Sequence, residues 1–318
     1  MRAPDFWQGR SPISWLLAPA GWLYAAGGWL RFPLARPVRA PVPVVCVGNL
    51  VAGGAGKTPT VLALAELLRD RTPHALIRGY GGRIAGPLRV DPARHGADDV
   101  GDEALLLASR LPTWISRNRV AGAMAAAEAG CGLVLMDDGF QNPGFVKDIS
   151  LLVVDAAQGF GNGRCLPAGP LREPPARGLA RADAVVLVGD GDPALPYAGP
   201  IFRAQVAPQG AAENWRGRPL VAFAGIGRPE KFFTTLRALG ADLRGTQAFA
   251  DHHRYTQAEL QALARQAGQS ATLVTTEKDY VRLPPDWQKR VETLPVALRF
   301  DAPDALTGWL HARLEALE

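Results

Sequence analysis

The stretch VVCVGNLVAGGAGKTPTVLALAELL, residues 44–68, constrains the fold more than any other part of the chain. An apolar run ends in a glycine-rich turn, and the turn opens into a helical pattern at Lys57. A buried strand that feeds a helix through such a loop aims backbone N–H groups and a helix N-terminus at an anion. The loop Val51, Ala52, Gly53, Gly54, Ala55, Gly56, Lys57 and Thr58 therefore reads as a nucleotide phosphate cradle. Lys57 can reach the β- and γ-phosphates, and Thr58 can ligate Mg²⁺. One position departs from the strict pattern. Six places before Lys57, where glycine is expected, stands Val51. Loop freedom moves instead to Gly53 and Gly54.

From residue 42 onward, short apolar runs alternate with helical patterns. Strands are expected at 42–48, 73–78, 112–116, 132–137, 150–155 and 184–189, with helices at 57–70, 102–110 and 118–129. Continuous apolar strands separated by helices imply a parallel sheet covered on both faces. Residues 190–214, rich in Gly, Pro and Ala, break the pattern. A second α/β run begins at 218–227, continues through helices at 229–239 and 256–267 and a strand at 271–275, and ends in a helix at 303–317. The expected class is α/β: a P-loop NTPase-like parallel sheet with helices on both faces, plus a second, smaller α/β domain. The expected divisions are 1–40, 41–210 and 211–318, with the last helix free to pack back on the first domain.

The segment before the first strand is of another kind. Residues 11–30 carry no charge, and Arg10 and Arg31 flank them. Twenty apolar residues are enough to reach across a bilayer, but Pro12, Pro19, Gly21, Gly27 and Gly28 weaken a spanning helix. Trp15, Trp22 and Trp29 recur every seventh residue, which keeps them near one helical face. Indoles favour the water–lipid interface. Residues 1–40 hold Arg2, Arg10, Arg31, Arg36 and Arg39 against Asp5, so +4 of the net charge of +5 sits there. A local basic patch of this kind argues against nucleic acid as a partner and for an interfacial helix on an anionic membrane surface. Cys46, Cys131 and Cys165 have neither paired nor metal-binding spacing and read as buried thiols.

Several strand ends and loops carry groups suited to chemistry on a phosphate. Asp137 and Asp138 close the apolar run LVLMDD, where a carboxylate can hold Mg²⁺. Asp102 and Glu103 open a helix; both suit its first turn as caps, and either can act chemically. FADHHRYT, residues 249–256, offers His252 and His253, and a carboxylate paired with histidine can take a proton from an attacking hydroxyl. Arg78, Arg117 and Arg119 follow strands and suit an anionic substrate.

The segments GNLVAGGAGKTP, RGYGG, VGDEALLLA, SRNR, MDDGFQ, LPAGPLREP, FADHHRYT and TTEKDYVRL occur in the order seen in the tetraacyldisaccharide 4'-kinase family, which the chain resembles over about residues 44–283. The Trp-rich N-terminus resembles that family too. In the family the first P-loop glycine is commonly absent, so Val51 is no objection to nucleotide binding. The resemblance implies transfer of the γ-phosphoryl of ATP, with Mg²⁺, to the 4'-hydroxyl of a tetraacylated glucosamine disaccharide 1-phosphate. It implies work at the cytoplasmic face of the bacterial inner membrane, as a peripheral or monotopic protein. It places the catalytic base at Asp102, with His253 as partner and His252 as the alternative, and Lys57 on the transferring phosphoryl. Thr58 and Asp138 come first as metal ligands, Asp137 and Glu103 second. LPAGPLREP, with Arg172 and Glu173, is expected to line the nucleotide or lipid site. No protein partner is called for. The alternative is a regulatory P-loop ATPase that cycles on membranes, which would dimerise with nucleotide and hydrolyse it without an acceptor.

Overall fold

The computed structural model describes residues 4–9, 11–210 and 212–317. Arg2 and Arg10 of the N-terminal basic patch lie outside the described residues. The described strands are β1 (Val44–Gly48), β2 (Pro73–Ile77), β3 (Leu88–Arg89), β4 (Thr113–Ile115), β5 (Leu133–Asp137), β6 (Ile149–Asp155), β7 (Ala184–Val188), β8 (Ile201–Pro208), β9 (Pro219–Ala224), β10 (Asp242–Ala248), β11 (Thr272–Thr276), β12 (Val291–Leu294) and β13 (Val296–Phe300). Nine of them form one sheet in the order β13-β8-β7-β6-β1-β5-β2-β4-β3, and the other four form a second, β10-β9-β11-β12. All pairs from β8 through to β4 in the first sheet are parallel, and β3 and β13 add antiparallel edges.

The two faces of the large sheet follow the period of two along each strand. Val45 and Val47 of β1 join Leu135, Leu151, Val153 and Val186 in one core. Val44 and Cys46 join Val134, Met136, Leu152 and Leu187 in the other. Helix Lys57–Leu67 covers the first face through Val61 and Leu64, and helix Pro303–Glu315 joins it there through Leu306, Leu310 and Leu314. Helix Arg119–Glu128 covers the second face through Ala123 and Ala126. All three cysteines are free and buried.

The Gly/Pro/Ala-rich stretch 190–214 does not interrupt the sheet as its composition suggests. It contains β8, which pairs parallel to β7 and antiparallel to β13. Backbone pairing to strands close by in space overrides a composition that by itself favours turns. The late strand β13 belongs to the first sheet although it follows the whole of the second.

In the smaller sheet, Val221 and Phe223 of the central β9 pack with Leu260 and Leu263 on one face, and Leu220 and Ala222 pack with Phe233 and Leu236 on the other. Phe223 is fully buried and meets the Tyr255 ring edge-on at 5.3 Å. Truncating such a ring leaves a cavity. Phe223→Ala is therefore expected to destabilise this lobe by about 3–5 kcal/mol, read as a lowered denaturant midpoint in urea unfolding. An unchanged midpoint would show that this cluster does not hold the lobe.

The N-terminal segment folds as two helices, Pro12–Leu16 and Ala18–Leu34. The prolines start helices rather than interrupt one. Pro12 follows the Ser11 cap, and Pro19 stands in the first turn of the second helix, where its missing N–H costs nothing. Among the described residues no helix is long and apolar enough to cross a membrane. Trp15, Leu16, Trp22, Leu23, Trp29, Leu30 and Leu34 are exposed. The segment is also fastened to residues 160–181. Gly21 lies so close to that segment that a Cβ would meet the Cys165 carbonyl oxygen at 2.9 Å. Trp7 donates its indole N–H to Pro167 O at 3.1 Å, and the Arg164 guanidinium lies 3.9 Å over the Trp15 ring.

Candidate active site

The C-terminal ends of the parallel strands open on a cleft of about 2420 Å³ between the two sheets, the place where open α/β sheets bind ligands. Its floor is the loop after β1. Gly56 caps helix Lys57–Leu67 with φ +91°, a left-handed conformation that a side chain would strain. Val51 does not have positive φ. It pairs in extended form with Leu171, while Ala52 N donates to Pro170 O and Arg172 N to Leu50 O, both at 2.7 Å. An extended residue zipped to a neighbouring segment has no need of glycine, which accounts for valine at this position.

Lys57 Nζ donates to Asn49 Oδ1 at 3.3 Å and lies 3.7 Å from Asp138 Oδ1. The Thr58 hydroxyl donates to Asp137 Oδ2 at 2.9 Å. The other oxygen of Asp137 is buried without a hydrogen-bond partner. Burial, with Glu103 and Asp138 adding negative charge, pushes the Asp137 carboxyl up to about 7. A buried acceptor that lacks a donor, next to a hydroxyl oxygen, is what a hard divalent cation satisfies. Among the described residues no three His, Cys, Asp or Glu side chains converge into a metal cage. Mg²⁺ takes one or two protein oxygens and completes its shell with phosphates and water. The two other expected carboxylates, Asp138 and Glu103, also have partners here. Asp138 receives Arg172 Nη1 at 2.8 Å, and Glu103 receives Lys278 Nζ at 3.1 Å. Burial raises the Asp138 carboxyl, but Lys57 and Arg172 outweigh it and hold it below the usual carboxylate range.

Across the cleft stands Asp102, first residue of helix Asp102–Ala108. Gly101 before it has φ +89°, and a Cβ there would sit 2.4 Å from the Tyr80 carbonyl oxygen. The RGYGG loop and the helix start thus lie backbone to backbone. Gly101 stands at the cap position of this helix with no side-chain cap, and Asp102 Oδ1 accepts from Glu103 N in the first turn at 2.9 Å. Oδ2 faces His252 Nδ1 at 2.9 Å and Arg282 Nε at 3.3 Å. The side chain is 5 % exposed. Burial raises its carboxyl, yet the His252 hydrogen bond, Lys278 and Arg282 more than offset this and hold it ionised below its ordinary range.

The expected pairing of Asp102 with His253 is corrected by this geometry. His253 Nε2 faces Glu259 at 3.1 Å and its ring stacks on Phe249 at 4.7 Å, whereas His252 meets Asp102. His252 adopts φ +57°, which turns its side chain away from that of its neighbour. Asp138, on the opposite wall, is also left-handed at φ +55°. Asp and His tolerate this region better than most residues, and strained backbone concentrates at functional sites.

The three expected arginines line the same cleft. Arg78 and Arg117 are exposed, while Arg119 is buried, gives Nη1 to Ser116 O at 2.6 Å and leaves its Nε without a partner. Burial and the neighbouring Arg78 push the Arg119 guanidinium below its usual value. A cation held in this way is poised for an anion.

Composition and periodicity did not single out several residues that the fold brings here. Gln141 Nε2 donates to Asn49 O at 2.9 Å and to Glu173 at 3.1 Å. Arg228, from the smaller lobe, reaches Gly54 O at 3.3 Å and pairs with Asp155 at the end of β6. Lys278 joins Glu103 and His252. The segments LPAGPLREP and TTEKDYVRL were the only signals for Arg172 and Lys278.

A profile of the family described as tetraacyldisaccharide-1-P 4'-kinase matches residues 13–315. A tetraacyldisaccharide 4'-kinase of Rhodospirillum centenum is 55% identical over 319 aligned residues, spanning 96% of this chain and 95% of that one. One of Paramagnetospirillum magneticum is 51% identical over 315 residues, spanning 96% and 97%. The crystal structure of LpxK from Aquifex aeolicus in complex with ATP matches with a TM-score of 0.80 at 27% identity, covering 95% of this chain and 99% of that one.

Proposed function

We infer the reaction from one premise: the chain belongs to the tetraacyldisaccharide-1-P 4'-kinase family. It transfers the γ-phosphoryl of ATP to the 4'-hydroxyl of a tetraacylated glucosamine disaccharide 1-phosphate. One observation carries the assignment of roles. A P-loop with a Thr58–Asp137 pair faces, across a single cleft, an ionised carboxylate held by histidine.

The backbone of Val51–Gly56 and the Lys57 ammonium cradle the triphosphate. Thr58 and Asp137 would hold Mg²⁺, and the ion would supply neutralisation of the charge on the transferring phosphoryl. Asp138 fixes Lys57 and Arg172 beside it. Asp102 takes the proton of the attacking hydroxyl, with His252 orienting its carboxylate. Arg78, Arg117 and Arg119 receive an anionic group of the substrates. Residues 219–294 act as the lobe that brings His252 and Lys278 to the nucleotide lobe. The test is incubation with γ-labelled ATP, Mg²⁺ and the tetraacyl disaccharide 1-phosphate. Label in a doubly phosphorylated lipid supports the reading, and label released only as inorganic phosphate overturns it.

The protein meets this lipid at the cytoplasmic face of the inner membrane, as a peripheral or monotopic protein on an anionic surface. Each CH₂ of an acyl chain holds the substrate in the bilayer by about 0.8 kcal/mol, so the kinase must come to it. The exposed indoles and leucines of helices Pro12–Leu16 and Ala18–Leu34, with Arg31 among them, support that contact. Burying one leucine is worth about 1.5–3 kcal/mol, so Leu23→Ser is expected to weaken flotation with anionic vesicles about tenfold or more. Leu23 is 75% exposed, so the fold itself is spared. Unchanged flotation would remove this helix from the membrane contact.

A further inference from the structure

Lys278 stands at the start of the short helix Glu277–Tyr280, which follows β11 in the smaller lobe. It reaches across to the nucleotide lobe. Its Nζ lies 3.1 Å from Glu103 Oε1, 3.3 Å from His252 Nε2 and 3.8 Å from Asp251 Oδ1. Its side chain is only 22% exposed, and although burial disfavours its charged form, the three carboxylates Glu103, Asp102 and Asp251 outweigh that.

An ammonium has three N–H donors and no acceptor. At hydrogen-bond distance from a ring nitrogen it therefore donates, and that nitrogen must present a lone pair. His252 Nε2 is then unprotonated. The ring proton sits on Nδ1 and points at Asp102 Oδ2, 2.9 Å away. The opposite tautomer would set an Nε2–H against an ammonium and leave Asp102 facing a second lone pair. A doubly protonated ring would place two cations head to head.

We propose that Lys278 is a positioning residue for phosphoryl transfer: by donating to His252 Nε2 it fixes the neutral Nδ1–H ring and leaves Asp102, not the imidazole, to receive the proton. The proposal rests on the reading of Asp102 as the base. In the step so assigned, the O–H bond of the lipid hydroxyl breaks and its proton passes to Asp102. The hydroxyl oxygen bonds to the γ-phosphorus of ATP, and the bond from that phosphorus to the β-phosphate oxygen breaks, releasing ADP. His252 keeps its single proton throughout. The proton leaves Asp102 to water when the products depart. Lys278 also ties Glu103, the residue after Asp102, to the second lobe, so one ammonium holds both members of the pair in register.

The direct test is the long-range ¹H–¹⁵N spectrum of histidine-labelled protein, with His252 assigned by its loss in His252→Gln. The intact protein is expected to show His252 protonated at Nδ1 and bare at Nε2. Lys278→Met is expected to lose that pattern and to lower kcat about tenfold or more, because misplacing a reacting group by about 1 Å can cost on the order of 10²-fold. KM for ATP and for lipid should stay near the parent values. Lys278→Arg, which still donates to Nε2, is expected to restore the pattern and most of the rate. A native spectrum with the proton on Nε2, or with both nitrogens protonated, overturns the proposal without any variant having to fold. So does a Lys278→Met spectrum identical to the parent's. Failure of the base reading looks different. Asp102→Ala would then transfer phosphate at the parent rate, whatever the His252 spectrum shows.

Discussion

Asp102→Ala is expected to slow phosphoryl transfer about 10²–10⁴-fold, the range for loss of a positioned general base, while ATP still binds. The carboxylate is buried, ionised and held from three sides, by Glu103 N, His252 and Arg282. Its removal leaves the two side-chain partners supported. Arg282 keeps Asp279 at 2.8 Å and the carbonyls of His253 and Gly225, each at 3.0 Å. His252 keeps Lys278 at 3.3 Å. Among the described residues no hydrogen bond or ion pair joins Asp102 to the phosphate cradle. A variant that folds, binds nucleotide and fails to transfer is therefore the expected outcome. Single-turnover transfer alongside ATP titration measures both halves, and transfer at the parent rate would take the base role from Asp102.

Lys57→Met is expected to lower kcat about 10²–10³-fold, the scale for removing one group that stabilises developing charge. The Lys57 ammonium lies between Asn49 Oδ1 and Asp138, facing the loop it serves. Methionine fills much the same volume, so the cost falls on charge rather than packing. Asp138 keeps Arg172 at 2.8 Å and is not left unpaired. Lys57→Arg should recover little of the rate. A planar fork of donors does not reproduce a compact point charge inside a loop whose backbone already surrounds the phosphates. Steady-state rates at saturating ATP check this, and a near-parental kcat in Lys57→Met would place the transferring phosphoryl elsewhere.

Much of this architecture is legible along the chain because local rules and the global fold agree. The apolar runs that become β1, β2, β5, β6 and β7 are buried on both sides, so they read continuously. The glycine-rich turn between β1 and helix Lys57–Leu67 lies where its spacing puts it. Strands that owe their existence to distant partners are less visible. β8 is hidden in Gly/Pro-rich surroundings, β10 reads DLRGTQA, and β13 pairs across more than 80 residues with β8.

The same holds for the site. Sequence brings His252 and His253 to one loop but cannot say which faces Asp102, since that depends on a left-handed φ at His252. Asp137 and Asp138 differ in a similar way. The first ends β5 fully buried beside Thr58, and the second begins the turn and meets Lys57 and Arg172. Lys278 stands in the charged run EKD of the segment TTEKDYVRL, and local pattern does not say which way it faces. Only the docking of the two sheets turns it toward His252.

The enzyme transfers phosphate to a lipid hydroxyl and does not turn over nucleotide for its own sake. That separates it from a P-loop ATPase that cycles on membranes, which would consume ATP without an acceptor. The most direct measurement follows ATP consumed and lipid phosphorylated in one reaction, with and without the tetraacyl disaccharide 1-phosphate in anionic vesicles. Negligible ATP consumption is expected without the lipid, and with it one phosphate on the 4'-oxygen for each ATP spent. ATP consumed at the same rate with or without the lipid, and no phosphate gained at that oxygen, would contradict transfer to the lipid.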